Sequence, residues 1–294
     1  MQIYSWNIQN GKGCDGIVAL QNIISHIKET ADPEVICLQE VARNFVEHGA
    51  QDQLELLENA FEQYSSIWAP GLSWPQLGDA DLANTSITSS PAKKEQRREF
   101  GNLVLVKKGL LLDFKLHTLP APATQGLLQM PRTAIEVIVA QGDQAIRVLS
   151  THLAFHSYTE RVAQLDYLSA IKDRAQERAL APADTNQQGC YSYAQSPAST
   201  ILCGDLNVAL GEEDYDHILA SHWKDAWSVL YPEQEHLATC GIFDHQQWPQ
   251  GAHCRDYFLC SEDMTAQLSS MQVDTQTPAS DHQPICLTVS SIIT

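Results

Sequence analysis

A chain of 294 residues with 44% apolar and 18% charged side chains has the composition of a globular protein, not of a disordered or fibrous one. Its 18 Lys+Arg against 36 Asp+Glu leave a net charge of −18, which excludes a protein that coats DNA or an anionic membrane through overall charge. A nucleic-acid enzyme with a locally cationic site stays open.

The run Ile3-Tyr4-Ser5-Trp6-Asn7 alternates like a strand over 2–8, and it has neither the charged nor the apolar region of a signal peptide. Short apolar runs predict further strands over 34–39, 102–107, 134–140, 145–151, 199–204, 255–260 and 284–290. Apolar residues at three- and four-residue spacing predict helices over 16–29, 51–63 and 158–179, the last with Val162, Leu165, Leu168 and Ile171 on one stripe. Strands interleaved with helices indicate a mixed α/β domain. Residues 70–99, 181–199 and 232–252 break the pattern with Pro, Ser, Gly and Gln, and read as long surface loops. With no internal repeat and no linker, residues 1–294 read as a single domain.

No stretch approaches the roughly 18–20 apolar residues that span a bilayer, so no membrane insertion is expected. The eight cysteines contain no C-x-x-C pair, and Cys37, Cys203, Cys260 and Cys286 sit in apolar runs where cysteine acts as a small buried hydrophobe. This usage fits a reduced, cytoplasmic protein and argues against zinc held through sulfur.

Polar residues with catalytic potential cluster at the ends of these strands. Asn7 closes the first, Gln39-Glu40 the second, Thr151-His152-Leu153 the run at 145–151, and Gly204-Asp205-Leu206-Asn207 the run at 199–204. Asp256 opens another, and Ser280-Asp281-His282 precedes the last. Each alone reads as a solvated strand end or a capped turn, and His26, His48, His217, His222, His236 and His245 read as surface residues. Together they place hard oxygen donors at one sheet edge, which suits Mg²⁺ or Mn²⁺. In extended backbone Asp205 and Asn207 would project on the same face.

The series Trp6-Asn7, Leu38-Gln39-Glu40, Thr151-His152-Leu153, Gly204-Asp205-Leu206-Asn207, Asp256-Tyr257 and Ser280-Asp281-His282 resembles the endonuclease/exonuclease/phosphatase superfamily over residues 6–290. The resemblance implies a four-layer αββα sandwich of two packed mixed sheets flanked by helices. It also implies hydrolysis of a phosphoester that depends on Mg²⁺, with Mn²⁺ as the alternative. By the same resemblance Glu40 is the principal metal carboxylate, helped by Asn7 and Asp281. Asp205 and Asn207 orient the attacking water and hold the phosphate, while His152 and His282 are the site histidines and Asp256 pairs with His282. The chemistry agrees, because a phosphodiester anion needs a cation on its oxygens, an aligned nucleophile and protonated donors. Cys254 occupies the slot where many relatives place an arginine, with Arg255 adjacent. Asn102, Arg97 and Arg98 are candidate phosphate contacts, and Glu99 or Asn102 is placed to orient His152.

Substrate class divides the readings. Lys93, Lys94, Arg97, Arg98, Lys107 and Lys108 hold six of the 18 basic residues and favour DNA or RNA as the phosphodiester partner. The bland alternative for them is a solvated basic loop. The net charge of −18 favours a small-molecule or lipid-headgroup phosphate instead. A non-catalytic binding module would show a missing Glu40 or Asp205, and both are present.

Overall fold

The computed structural model describes residues 1–75, 97–123, 126–180 and 196–290. Alternation along β1 (Gln2–Asn7) separates two buried layers: Ile3 faces one, and Tyr4 and Trp6 face the other. That split follows from the two-residue period of a strand, and it recurs across both sheets.

The first sheet runs in the order β11-β12-β1-β2-β4-β3, with β2 (Val35–Arg43), β3 (Tyr64–Pro75), β4 (Arg97–Lys107), β11 (Leu268–Val273) and β12 (Ile285–Val289). The second runs β5-β6-β7-β8-β10-β9, built from β5 (Leu111–Thr118), β6 (Thr133–Gln141), β7 (Gln144–His152), β8 (Thr200–Asp205), β9 (Lys224–Asp225) and β10 (Asp256–Cys260). Each sheet is mixed: β1–β2 and β7–β8 pair in parallel and the remaining neighbours are antiparallel.

Between the sheets lies an apolar core that includes Ile3, Val35, Cys37, Val104, Ile135, Val137, Val148, Ile201, Cys203 and Phe258. On the outer face of the first sheet, α1 (Leu20–Thr30) and α2 (Gln53–Ala60) bury Ile23, Ile27 and Leu57 against Trp6, Leu38 and Leu103. On the outer face of the second, α3 (Tyr158–Leu180) and α4 (Glu213–Ala220) bury Leu165, Leu168 and Ile218 against Leu149 and Leu202. The short α5 (Ala226–Leu230) tucks Trp227 into the inter-sheet layer. The result is the expected four-layer αββα sandwich.

The topology also explains where chemistry can sit. β1, β2, β7 and β8 point their C-terminal ends at one mouth of the sandwich, and the strands antiparallel to them, β4, β6, β10 and β12, begin there. Along the rows facing the inter-sheet layer, side chains turn from apolar to polar toward that mouth. Ile3 leads to Ser5 and Asn7, Cys37 to Gln39, Val148 to Ser150 and His152, and Cys203 to Asp205. Gln39 Nε2 joins the two sheets beneath the mouth, donating to Ser5 Oγ at 3.3 Å and Ser150 Oγ at 3.4 Å.

Several expectations need correction. β3, β5 and β11 are strands that the apolar-run pattern does not single out, and α4 and α5 are short helices it also misses. The first helix starts at Leu20, because residues before it form a turn bridged by Lys12 and Val18. Of the three loops, 70–75 and 97–99 are paired strand, while 76–96 (with Lys93 and Lys94) and 181–195 lie outside the described residues. Segment 232–252 is irregular but not merely superficial, since Cys240 is buried and Trp248 is only 3% exposed.

Candidate active site

Segments from both sheets meet at the mouth, carrying Asn7, Glu40 and Asp281-His282 on one side and His152, Asp205 and Asp256 on the other. Gly204 sets the register on the second sheet: it has φ +132°, and a Cβ there would lie 1.9 Å from the Thr151 carbonyl. Only glycine lets β8 approach β7 so closely, and the next pair along is His152 opposite Asp205. On the first sheet the β2–β4 register slips between Leu38 and Val41, and Glu40 takes φ +60°. A bulge of this kind re-aims a side chain, here into the mouth. Ser280 Oγ donates to the Asn7 carbonyl (2.8 Å) and Trp6 Nε1 to the His282 carbonyl (2.9 Å), which fixes Asp281 and His282 beside β1.

Asp205 Oδ2 is the hub. It accepts from Asn7 Nδ2 at 3.0 Å, and lies 3.3 Å from His152 Nε2 and 3.6 Å from His282 Nε2. Asn7 Nδ2 also donates to Glu40 Oε1 at 3.1 Å, so one amide spans the two sheets and separates two carboxylates. His282 Nδ1 donates to Asp256 Oδ2 at 2.8 Å. Asp205, Asp256 and His282 place one potential ligand atom each within 4.8 Å of one another, yet the Asp256–His282 contact satisfies that trio through a proton.

The electrostatics divide the histidines. Burial disfavours the imidazolium of His282, but Asp256, Asp205 and Asp281 outweigh it and hold His282 well above the ordinary histidine value. Burial, aided by the Arg132 charge, pushes His152 down to about 3, so it is neutral despite Asp205. Burial also opposes ionisation of Asp205, but His282, His152 and the Asn7 amide reverse this and hold it below the usual carboxylate range. Asp256 is raised by burial, which the His282 charge only partly offsets. With both members of the Asp256–His282 pair raised, the proton between them stays bound through neutral pH.

Glu40 is the most open of the carboxylates, its side chain 22% exposed against 2% for Asp205. Desolvation and then the nearby Asp281 push it up to about 7. Two carboxylates forced together with one amide donor between them and Asp205 form a hard-oxygen set that a divalent cation would neutralise, so the residues fit Mg²⁺ or Mn²⁺. Asp281 is oriented by Gln247 Nε2 (2.8 Å) and Trp248 Nε1 (3.2 Å), both donating to its Oδ2.

Asn207 departs from the extended geometry expected of it. At φ +54° its backbone N–H donates to Asp205 Oδ1 (2.9 Å) and its Nδ2 to the Leu153 carbonyl (3.0 Å). It braces Asp205 and the end of β7. Asn102 turns its amide between the sheets, donating to the Thr133 carbonyl at 2.8 Å. Glu99 accepts from Arg43, Trp68 and Ser73, so neither it nor Asn102 orients His152. Arg97 is held by Ser73 at the mouth end of β4, and Arg98 stacks over Phe45 and Trp74. Lys107 sits at the other end of that strand, ion-paired to Asp32 and Glu34. At about 3.3 Å per residue the two ends of β4 stand roughly 33 Å apart, so the described basic residues do not form one cluster.

Sequence reasoning missed Arg132. It precedes β6, at the mouth, and is only 8% exposed. Its Nε has no hydrogen-bond partner and no carboxylate lies within ion-pair distance of it among the described residues. Burial lowers its pKa, while Glu40, Asp205 and Glu160 support its charge from further off. A buried, unpaired guanidinium is costly unless an anion completes it. The available signal was an arginine immediately ahead of an apolar strand run, in a chain whose other strand ends at the mouth carry polar groups.

A sandwich whose two sheets share one polar mouth, with carboxylates, a cationic and a neutral imidazole and a buried guanidinium, belongs to the phosphoester hydrolases built on the deoxyribonuclease-I-like fold. The chain is a member of the endonuclease/exonuclease/phosphatase family, whose sequence profile matches residues 4–282. A search of curated proteins finds no match. Among solved structures, an endonuclease/exonuclease/phosphatase from Beutenbergia cavernae superposes with TM-score 0.68 at 18% identity, covering 99% of this chain and 72% of that one. D. rerio TDP2 complexed with a single-strand DNA product gives TM-score 0.61 at 18% identity and 99% coverage of both chains. A Bacteroides thetaiotaomicron mannosyl-6-phosphatase gives 0.63 at 15% identity, covering 99% of this chain and all of the other. At these identities the likeness is one of fold.

Proposed function

We propose that the protein is a divalent-metal-dependent phosphodiesterase that cleaves nucleic-acid phosphodiesters by in-line attack of water. The observation that carries this reading is the hub at Asp205, an ionised carboxylate set between a cationic His282 and a neutral His152. Asp205 aligns the water and accepts its proton as the bond to phosphorus forms. His282, kept protonated by Asp256, donates to a non-bridging oxygen as negative charge grows there. Arg132 approaches the same phosphate from the second sheet and finds in it the partner it otherwise lacks. Asn7 holds the Glu40 and Asp205 carboxylates apart, so that they do not share a proton. Glu40 and Asp281, with Asn7, would hold Mg²⁺ or Mn²⁺, which when bound supplies Lewis-acid charge at the phosphoryl oxygen and leaving group.

Support for DNA or RNA comes from the superposed TDP2, whose structure holds a single-strand DNA product. The second reading, a phosphatase for a small-molecule phosphate, draws on the net charge of −18 and on the superposed mannosyl-6-phosphatase. One panel separates them: purified protein with Mg²⁺ or Mn²⁺ against single- and double-stranded DNA, RNA, bis-p-nitrophenyl phosphate, and sugar and inositol monophosphates. Turnover of oligonucleotides with no release of phosphate from the monophosphates supports the first reading. The reverse pattern establishes the second.

A further inference from the structure

Beside the mouth, the loop between β7 and α3 presents the Phe155 ring outward, with the exposed His156 ring edge-on to it at 4.9 Å. Phe155 is 46% exposed although its carbonyl and the backbone of Ala154 before it are held by hydrogen bonds. Arg161 donates to the carbonyls of Ala154 (3.3 Å) and Phe155 (2.9 Å) while its Nε is bound to Asp214. The Ala154 N–H donates to Gln164 Oε1 at 2.9 Å, and Ser157 Oγ caps the helix that follows. A mobile surface ring has no need of such anchoring.

Behind Phe155 stands Trp248, with ring centroids 6.1 Å apart, and Trp248 in turn lies edge-on to the His282 ring at 5.6 Å. The Arg255 guanidinium sits 6.0 Å from the Phe155 ring and 5.5 Å from the Trp248 ring. Arg255 is tied to the site by Nη1 donating to the Asn207 carbonyl at 2.8 Å, and no carboxylate pairs with it within 4 Å among the described residues. The arrangement is a flat, rigid apolar face with an unneutralised cation next to it, two rings away from the group that donates to phosphate.

We propose that Phe155, backed by Trp248 and flanked by Arg255, is a stacking platform for the nucleobase adjoining the scissile phosphate, with Arg255 facing the next phosphate along the strand. The inference rests on the nucleic-acid reading and names the subsite that would make the enzyme prefer a base there. An exposed phenyl ring beside a cation matches a base followed by a phosphate, since bases stack on aromatic faces irrespective of sequence. A lipid chain would call for an extended apolar groove, and a sugar monophosphate offers no flat π-face.

The test uses the full chain with Mg²⁺ on a short end-labelled oligonucleotide, and on the same oligonucleotide with a tetrahydrofuran spacer replacing the base on either side of the cleaved bond. Phe155→Ala should raise KM for the intact oligonucleotide about 5- to 150-fold, the range expected for one stacked base, with the effect on KM and not on kcat. One of the two spacer substrates should show a similar rise with the wild-type enzyme, and Phe155→Ala should add nothing to it. Phe155→Trp should restore the wild-type KM, whereas Phe155→Leu should not. A Phe155→Ala penalty equal on all three substrates, or a Phe155→Leu enzyme as good as wild type, overturns the platform while leaving the nucleic-acid reading in place. A wild-type enzyme that cleaves no oligonucleotide but hydrolyses a monophosphate overturns both.

Discussion

Asp256 Oδ2 and His282 Nδ1 meet at 2.8 Å, joining the first residue of one sheet's β10 to the segment that enters the other sheet's β12. The contact is buried, and among the described residues the second oxygen of Asp256 meets no hydrogen-bond donor within bonding distance. One carboxylate oxygen therefore carries the whole interaction with the imidazolium.

Replacing that carboxylate tests the role of the charge. Asp256→Asn keeps the shape but removes the largest influence favouring the imidazolium, so the His282 pKa falls. Activity that needs protonated His282 is then lost at a lower pH, and the alkaline limb of the pH–rate profile should move toward acid while the acid limb stays. Paired profiles with circular dichroism as the fold control decide it. An alkaline limb that stays in place would refute the pairing.

Glu40 should be dispensable for folding and indispensable for turnover. It is the most open carboxylate at the mouth, and desolvation followed by the charge of Asp281 pushes its pKa up to about 7, so Glu40→Ala removes both the desolvated charge and the repulsion with Asp281. We expect the variant to lose activity by orders of magnitude, and to lack the rise in melting temperature that Mg²⁺ should give the wild type. Chelator should silence wild type equally. Full activity in excess chelator would remove the metal from the account.

Asp205→Asn should lower kcat far more than it raises KM, because alignment and deprotonation of water matter chiefly in the transition state. Steady-state kinetics on one oligonucleotide suffice. A raised KM with unchanged kcat would assign Asp205 to substrate binding instead.

Arg132 predicts a trade of stability against activity. Among the described residues its buried guanidinium has no ion-pair partner, so Arg132→Met should raise the melting temperature in excess Mg²⁺ by a few degrees. The same change should cost at least tenfold in kcat/KM, since the phosphate loses a cationic contact. A variant that is less stable and fully active would show that Arg132 serves the fold.

Away from the mouth, Glu136 accepts from Arg147 Nε and His117 Nε2, each at 2.8 Å. Burial works to raise its pKa, but these two partners and Lys115 overcome that and hold it at about 2. A depressed carboxylate stabilises the fold fully above its unfolded value and progressively less as pH falls from about 4.5 toward 2. At 1.36 kcal/mol per unit the contribution is at most about 3 kcal/mol. Urea unfolding should therefore find Glu136→Gln weaker than wild type at pH 7, with the gap closing near pH 2. A gap independent of pH would make the loss one of packing.

Which parts of this molecule were legible in the sequence follows from where each signal came from. Buried strands such as β2 and β8 announce themselves as apolar runs closed by Glu40 and Asp205, because both faces are covered. β5 does not, since Leu112, Phe114 and Leu116 alternate with polar residues on an exposed edge strand. β11 is hidden by its serines for the same reason. Site residues at strand ends could be read from their order along the chain, but Arg132 and Trp248 could not. One precedes a strand with no motif around it, and the other lies in an irregular segment whose Pro, His and Gln content reads as solvent-facing. The bulge that aims Glu40 and the turn that bends Asn207 back on Asp205 are set by pairing across the sheets, which local sequence does not encode.

The polar mouth is assembled from two halves that never touch through continuous main chain: Asn7, Glu40 and Asp281 belong to one sheet, and His152, Asp205 and Asp256 to the other. What sets the gap between them is the thickness of the hydrocarbon filling, Val35 and Val104 against Val137 and Val148, about 10 Å as for any pair of stacked sheets. The core thus works as a spacer gauge for the chemistry. A filling made thinner or softer, by Val148→Ala for instance, would let one sheet slide on the other and carry the two sets of polar side chains out of alignment. Heat should do the same: turnover should fade several degrees before the helices melt, with the loss reversible on cooling.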